Sequence, residues 1–232
     1  MKPSLVLKPQ REPSFDDLPA GSVILEQTTE EAGEAIEFLA QVSAEKGWQP
    51  PPGALEAYPD RSVFLVHRDE SGILGALKLV RGGKNRRLPV MQVWPEFLLD
   101  TRNNIAELSV LALKACSRGR QAFLPLTAAV WRYCMSRGIN ELWAELEPRM
   151  VAVYRRFGWP FEVMGELREY WGDPLYPCRL FGEDWLDEHV TRADKSPRYL
   201  TALMQAVRQT VFEEVAIERL QALDPAWQPL EA

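Results

Sequence analysis

The chain has 232 residues and is 46% hydrophobic, so it can bury a sizeable core, and disorder is not the default. Twenty-seven basic against 33 acidic residues give a net charge of −6 and a pI near 5.2, which argues against general nucleic-acid binding. Only two histidines, His67 and His189, and three scattered cysteines without C-x-x-C spacing, Cys116, Cys134 and Cys178, argue against a metal site or a disulfide framework and fit a reducing compartment.

No apolar run approaches the ~20 residues that cross a bilayer. Residues 1–18 mix charges and prolines without a signal-peptide core. The expectation is a cytoplasmic protein with no nucleic-acid partner and no stable membrane insertion.

Residues 1–20 are proline-rich and aperiodic, and read as a flexible N-terminal arm. A domain is expected over 21–185. It opens with a β-prone run at 22–27, followed by Thr28 and Glu31 at capping-box spacing. Ala35, Ile36, Leu39 and Val42 then recur at helical spacing, which predicts a helix over 29–46. Residues 48–59 hold four prolines and a glycine and must leave regular structure.

Two β-type runs, 62–67 and 73–80, flank Asp69-Glu70-Ser71-Gly72 and predict a hairpin, with His67 as a structural residue. Arg81-Gly82-Gly83-Lys84-Asn85-Arg86-Arg87 concentrates four cations, readable as a solvated loop or as a binding loop. Val90, Met91, Val93 and Trp94 suggest a strand that Pro95 interrupts.

The central stretch reads as a strand (105–114), a turn with Arg118, Gly119 and Arg120, a helix (122–137), a strand (141–147) and a helix with Tyr154. That order suggests one crossover unit built around a ligand. Beyond it, residues 161–171 are β-compatible, Gly172-Asp173-Pro174 breaks the chain, and 175–181 forms a final strand. An apolar stripe from Leu200 to Val215 predicts a long helix in a C-terminal extension over 186–232, suited to packing on the domain, covering a groove or forming a homodimer.

Tyr154-Arg155-Arg156-Phe157-Gly158-Trp159, following Glu145-Leu146-Glu147-Pro148, resembles the Y-x-x-x-G-F segment near the end of the GNAT acyltransferase fold. The resemblance covers about 22–181. It implies an α/β protein with a GNAT-like central mixed β-sheet flanked by helices, here with an additional C-terminal helix. It also implies a thioester arm held beside the strand at 105–114, splayed from 141–147, with Leu111, Ala112 and Leu113 as backbone contacts.

Under the same resemblance Tyr154 protonates the departing thiolate, the alternative being a tyrosine packed at a helix start with its hydroxyl in water. Glu107 is the candidate base, since a glutamate among apolar neighbours can hold a raised pKa. Glu145 and Glu147 on the neighbouring strand are weaker candidates. The phosphate turn aligns Arg118, Gly119, Arg120, Gln121, Ala122 and Phe123 with R-G-R-G-I-G, so Gln121 and Phe123 replace the two later glycines. Glycine there lets backbone N–H groups approach a pyrophosphate.

Glu107-Leu108-Ser109 resembles the E-x-S-R segment of acyl-homoserine-lactone synthases and N-acyl amino acid synthases, although Val110 stands where that subgroup has arginine. The run from Tyr170 to Pro177 also looks like a late aromatic segment of the acyl amino acid synthases. This subgroup implies an acyl carrier protein phosphopantetheine or an acyl-CoA as donor, an amino acid or similar small amine as acceptor, and no metal. The 81–87 loop with Lys114, Arg118 and Arg120 would then dock an acidic carrier protein. The competing readings are a short-chain CoA-dependent N-acetyltransferase and a non-catalytic acyl-thioester binding module.

Overall fold

The structure is a computed structural model that describes residues 21–83, 86–97, 104–115, 122–156, 158–182 and positions 184, 185, 187, 188 and 191. The N-terminal arm, Cys116, the turn residues Arg118, Gly119, Arg120 and Gln121, Phe157, His189 and the expected C-terminal helix lie outside the described residues.

Strand β1 (Ser22–Glu26) leads into helix α1 (Ala32–Lys46). The hairpin of β2 (Ser62–Asp69) and β3 (Gly72–Arg81) follows, then a single helical turn, α2 (Val90–Val93). The central unit comprises β4 (Ile105–Leu113), α3 (Phe123–Ser136), β5 (Glu141–Leu146) and α4 (Pro148–Arg156). Short strands β6 (Glu162–Val163) and β7 (Arg168–Tyr170) precede β8 (Asp173–Phe181). The sheet order is β1-β2-β3-β4-β5-β8-β6, with β7 on β8; β4 and β5 are parallel and the other pairs antiparallel.

The β2–β3 hairpin forms as expected, with Asp69 opposite Gly72 and the Asp69 carboxylate accepting the Ser71 N–H at 2.7 Å. His67 is structural: its Nδ1 lies 3.1 Å from the Ser22 hydroxyl across the β1–β2 pair. The expected Thr28–Glu31 capping box does not form. Glu31 itself is the cap residue, without a side-chain bond, and the Thr29 and Glu30 carbonyls take the first helical N–H groups, from Ala32 and Gly33.

The strand expected around 90–94 is instead α2. Leu88, Val90 and Trp94 pack with Ile105 and Trp143, and burying those side chains outweighs their β propensity. The expected break before 175 also moves. Trp171 and Gly172, both at positive φ, make the tight turn between β7 and β8, and Pro174 is already in β8. Pro174 fits because β8 meets β5 only from Tyr176 onward.

Alternation along the strands gives the sheet two buried faces. Leu77, Leu79, Ala106, Leu108, Leu142 and Ala144 face α3 and α4. Phe64, Val66, Ala76, Val110 and Ala112 face α1. One irregularity falls in β4: Lys78 opposes Val110 but Leu79 opposes Leu108, so Ser109 is an extra, bulged residue. The bulge bends β4 in the middle of the sheet.

Candidate active site

The parallel pairing of β4 with β5 runs from Ile105 opposite Glu141 to Leu108 opposite Ala144 and stops there. Both strands continue, β4 by five residues and β5 by two, so they diverge at the bulge. A β-strand presents alternate backbone groups to each side, so the far part of β4 offers unpaired N–H and C=O groups toward the gap. A cavity of about 250 Å³ occupies it. Leu108, Ser109, Val110, Leu111 and Leu113 of β4 line it, with Ala144, Glu145 and Leu146 of β5 and Met150, Arg149 and Tyr154 of α4. Phe123, Trp48, Tyr170 and Trp171 add aromatic walls.

The spacing of Tyr154, Gly158 and Trp159 has a local physical cause. Gly158, at φ 84°, donates its N–H to the Arg155 carbonyl at 3.1 Å, and Trp159 donates to the Tyr154 carbonyl at 3.0 Å. These two bonds form a Schellman motif, which needs a left-handed residue four positions after the tyrosine and favours an apolar contact one position later. The Tyr154 and Trp159 rings lie 6.5 Å apart, with Phe123 and Phe161 at 5.7 and 5.4 Å from Tyr154.

Tyr154 therefore sits in the last turn of α4, buried, rather than at a helix start. Among the described residues its hydroxyl has no hydrogen-bond partner, and burial pushes its pKa well above the ordinary phenol value. The same helix-ending bonds recur at Gly47 and Trp48, from Gly47 to Ala44 and from Trp48 to Ser43, and carry Trp48 to the cavity.

Glu107 is completely buried and does not line the cavity. Opposite Trp143 in the β4–β5 register, it shares a sheet face with Glu145, two residues further on. One Glu107 carboxylate oxygen accepts the Val90 N–H at 2.8 Å; among the described residues the other is buried with no donor, as is Oε1 of Glu145. The two carboxyls meet each other, and Glu145 faces the cavity. Burial raises the pKa of both, and the Glu145 charge pushes Glu107 further up.

Two cations stand on the far side of Glu107. The Arg61 guanidinium donates to the Arg81 and Arg87 carbonyls at 3.0 and 2.6 Å. Lys78 is buried opposite Val110, and its ammonium donates to the Ala54, Leu55 and Ala57 carbonyls at 3.2, 2.7 and 2.7 Å. Its pKa is lowered by burial to about 8, so it stays charged at neutral pH. It thereby clamps the proline-rich loop onto the sheet, and places a cation opposite Val110 in the β3–β4 register.

Of the other expected site residues, Leu111 and Leu113 line the cavity, whereas Ala112 turns its side chain to the α1 face. Ala122 is buried just ahead of α3. Glu147 pairs with Arg149 at 2.6 Å. Tyr170 was visible in the sequence only as part of an aromatic segment, yet it lines the cavity; burial, then the Glu145 charge, raise its pKa.

The family model of the N-acyl amino acid synthase FeeM matches residues 35–180. A search of curated proteins finds no match. Among solved structures, FeeM, an N-acyl amino acid synthase from uncultured soil microbes, superposes with a TM-score of 0.58 at 18% identity, covering 72% of this chain and 95% of FeeM. The acyl-homoserine lactone synthase LasI gives 0.57 at 15% identity over 69% of this chain and 89% of its own. The CoA-dependent acyl-homoserine lactone synthase BjaI, solved with SAM and isopentyl-CoA, gives 0.55 at 17% identity over 72% and 86%. The fold is thus the GNAT-like open mixed sheet expected from the sequence, and with more than half of its length matched by the family model, this chain belongs to the FeeM family of N-acyltransferases.

Proposed function

We propose that the chain moves a fatty acyl group from an acyl carrier protein or CoA thioester to the amine of an amino acid or similar small molecule. The observation that carries this reading is the cavity where β4 and β5 part, with free strand edge, apolar walls and a carboxylate on one lining. The donor's amide-rich arm hydrogen-bonds to the unpaired part of β4 around Leu111, Ala112 and Leu113, and N–H groups there stabilise the tetrahedral oxyanion. The apolar side chains of β4, Phe123 and Met150 take the acyl chain out of water.

The acceptor arrives as an ammonium and must lose a proton before attack; the carboxyl pair of Glu107 and Glu145 takes it. When the thiolate departs, Tyr154 donates a hydrogen bond to the sulfur. A phenol whose pKa is raised gives up its proton only as it receives another, so Tyr154 passes on the proton leaving the nitrogen. The exposed Arg86 and Arg87 belong to the basic loop proposed to meet an acidic carrier protein.

Purified full-length chain, incubated with a long-chain acyl carrier protein or acyl-CoA and a pooled set of amino acids, is expected to release thiol and form N-acyl product. Thiol release with acetyl-CoA but with neither long-chain donor contradicts the fatty assignment. Binding of the donors without turnover contradicts acyl transfer.

A further inference from the structure

We infer that Glu145 is the carboxylate that takes the proton of the acceptor amine, and that Glu107 is a positioning residue behind it that holds one proton shared between the two. This inference rests on the acyl-transfer reading above and divides the labour within the pair. An ionised carboxylate has only acceptor oxygens. Two of them facing each other, each with a buried oxygen lacking a donor, would leave both unsatisfied and repel. One proton between them removes both penalties.

The surroundings decide which member keeps that proton. Glu107 does not line the cavity and, among the described residues, accepts only from the Val90 N–H; Glu145 lines the cavity. Of the charged and titratable groups around them, the Arg61 guanidinium and the Lys78 ammonium favour an ionised Glu107, as does the Val90 N–H, but complete burial outweighs them; Cys178 responds to Glu145, which can share its charge with the cavity. Tyr170 responds to both. The Glu107 carboxyl therefore donates and the Glu145 carboxylate accepts, leaving an ionised oxygen toward the cavity.

The proton count closes. The acceptor ammonium gives one proton to Glu145, so that both carboxyls are briefly protonated, and the freed amine attacks the thioester carbon. Its second proton passes through Tyr154 to the departing thiolate as the carbon–sulfur bond breaks. The third stays on the amide nitrogen, and Glu145 returns its proton to solvent.

Glutamine imitates a protonated glutamate: its carbonyl can accept from Val90 and its amide can donate to Glu145. E107Q is therefore expected to lose about tenfold in product formation or less while keeping the ascending limb of the pH profile. E145Q is expected to lose at least about a hundredfold, the scale of a missing general base. A dead E107Q beside an active E145Q would assign the base to Glu107 and overturn the proposal.

A second measurement needs no substrate. Carbon-13 carboxyl NMR of the full-length protein, labelled at glutamate, is expected to show the Glu107–Glu145 pair carrying one proton at pH 9, above the value of about 8 to which burial pushes Glu145. Two ionised carboxylates there, or two protonated ones, would overturn the proposal even in an active enzyme. If the wild-type chain makes no product while the pair holds its single proton, the acyl-transfer reading fails and the shared proton stands.

Discussion

Two side chains with the same property, a pKa raised by burial, carry opposite expectations for stability. The Tyr154 ring packs among Phe123, Trp159 and Phe161, whereas its hydroxyl bonds to no described residue. Tyr154→Phe keeps the packing and removes only the donor, so chemical denaturation is expected to change by less than about 1 kcal/mol, while turnover falls about tenfold or more. Glu107 is an ionisable group held against its preference. Its folded pKa lies above the unfolded one, so its favourable contribution is present below about pH 4.3 and is lost as pH rises toward the folded value. Glutamine has no such dependence. E107Q is expected to be more stable than wild type at pH 7 by about 1–3 kcal/mol, and urea titrations at falling pH should show the gain vanish near pH 4. A loss of stability at pH 7 would mean that the carboxyl is held by bonds the amide cannot replace.

Among the elements, α3 and the β3–β4 pair approach closely at Gly75. A Cβ at Gly75 on β3 would lie 2.8 Å from both Leu113 Cδ2 and Leu126 Cδ1, and 3.3 Å from the Ala122 Cβ. Leu113 lines the cavity, and Ala122 leads into α3, so Gly75 sets the spacing of the site's scaffold. Gly75→Val is expected to destabilise the protein by about 1–3 kcal/mol through overpacking, and to weaken donor binding more than acceptor binding in steady-state kinetics. Much of this level was legible in the sequence, because β2 and β3 are short apolar runs of strand length, buried on both faces, and the turn between them has its demanded residues. Helix α2 was not legible: Val90 and Val93 have strand propensity, and only packing against Ile105 and Trp143 bends them into a turn. The α1 cap was missed because backbone carbonyls can replace a capping side chain.

For the whole molecule, the sheet brings together residues that no local pattern links. The tyrosine–glycine–tryptophan spacing was readable because a helix terminus imposes it. The pairing of Glu107 with Glu145 was not, since it depends on the parallel register that places Glu107 opposite Trp143. Nor could the sequence tell that Glu145 faces the cavity while Glu107 lies behind it, because both precede or follow apolar residues in similar strands. Tyr170 and Trp48 reach the same cavity from distant segments through a hairpin and a helix end. No helix among the described residues is long and apolar enough to cross a membrane.

The most direct test is mass spectrometry of lipid extracts from cells expressing the wild-type chain or Tyr154→Phe. New N-acylated amines with long chains, abundant with wild type and reduced at least about tenfold in the variant, are expected, and their masses would name the acceptor. Extracts identical to those of cells lacking the protein would contradict fatty N-acyl transfer.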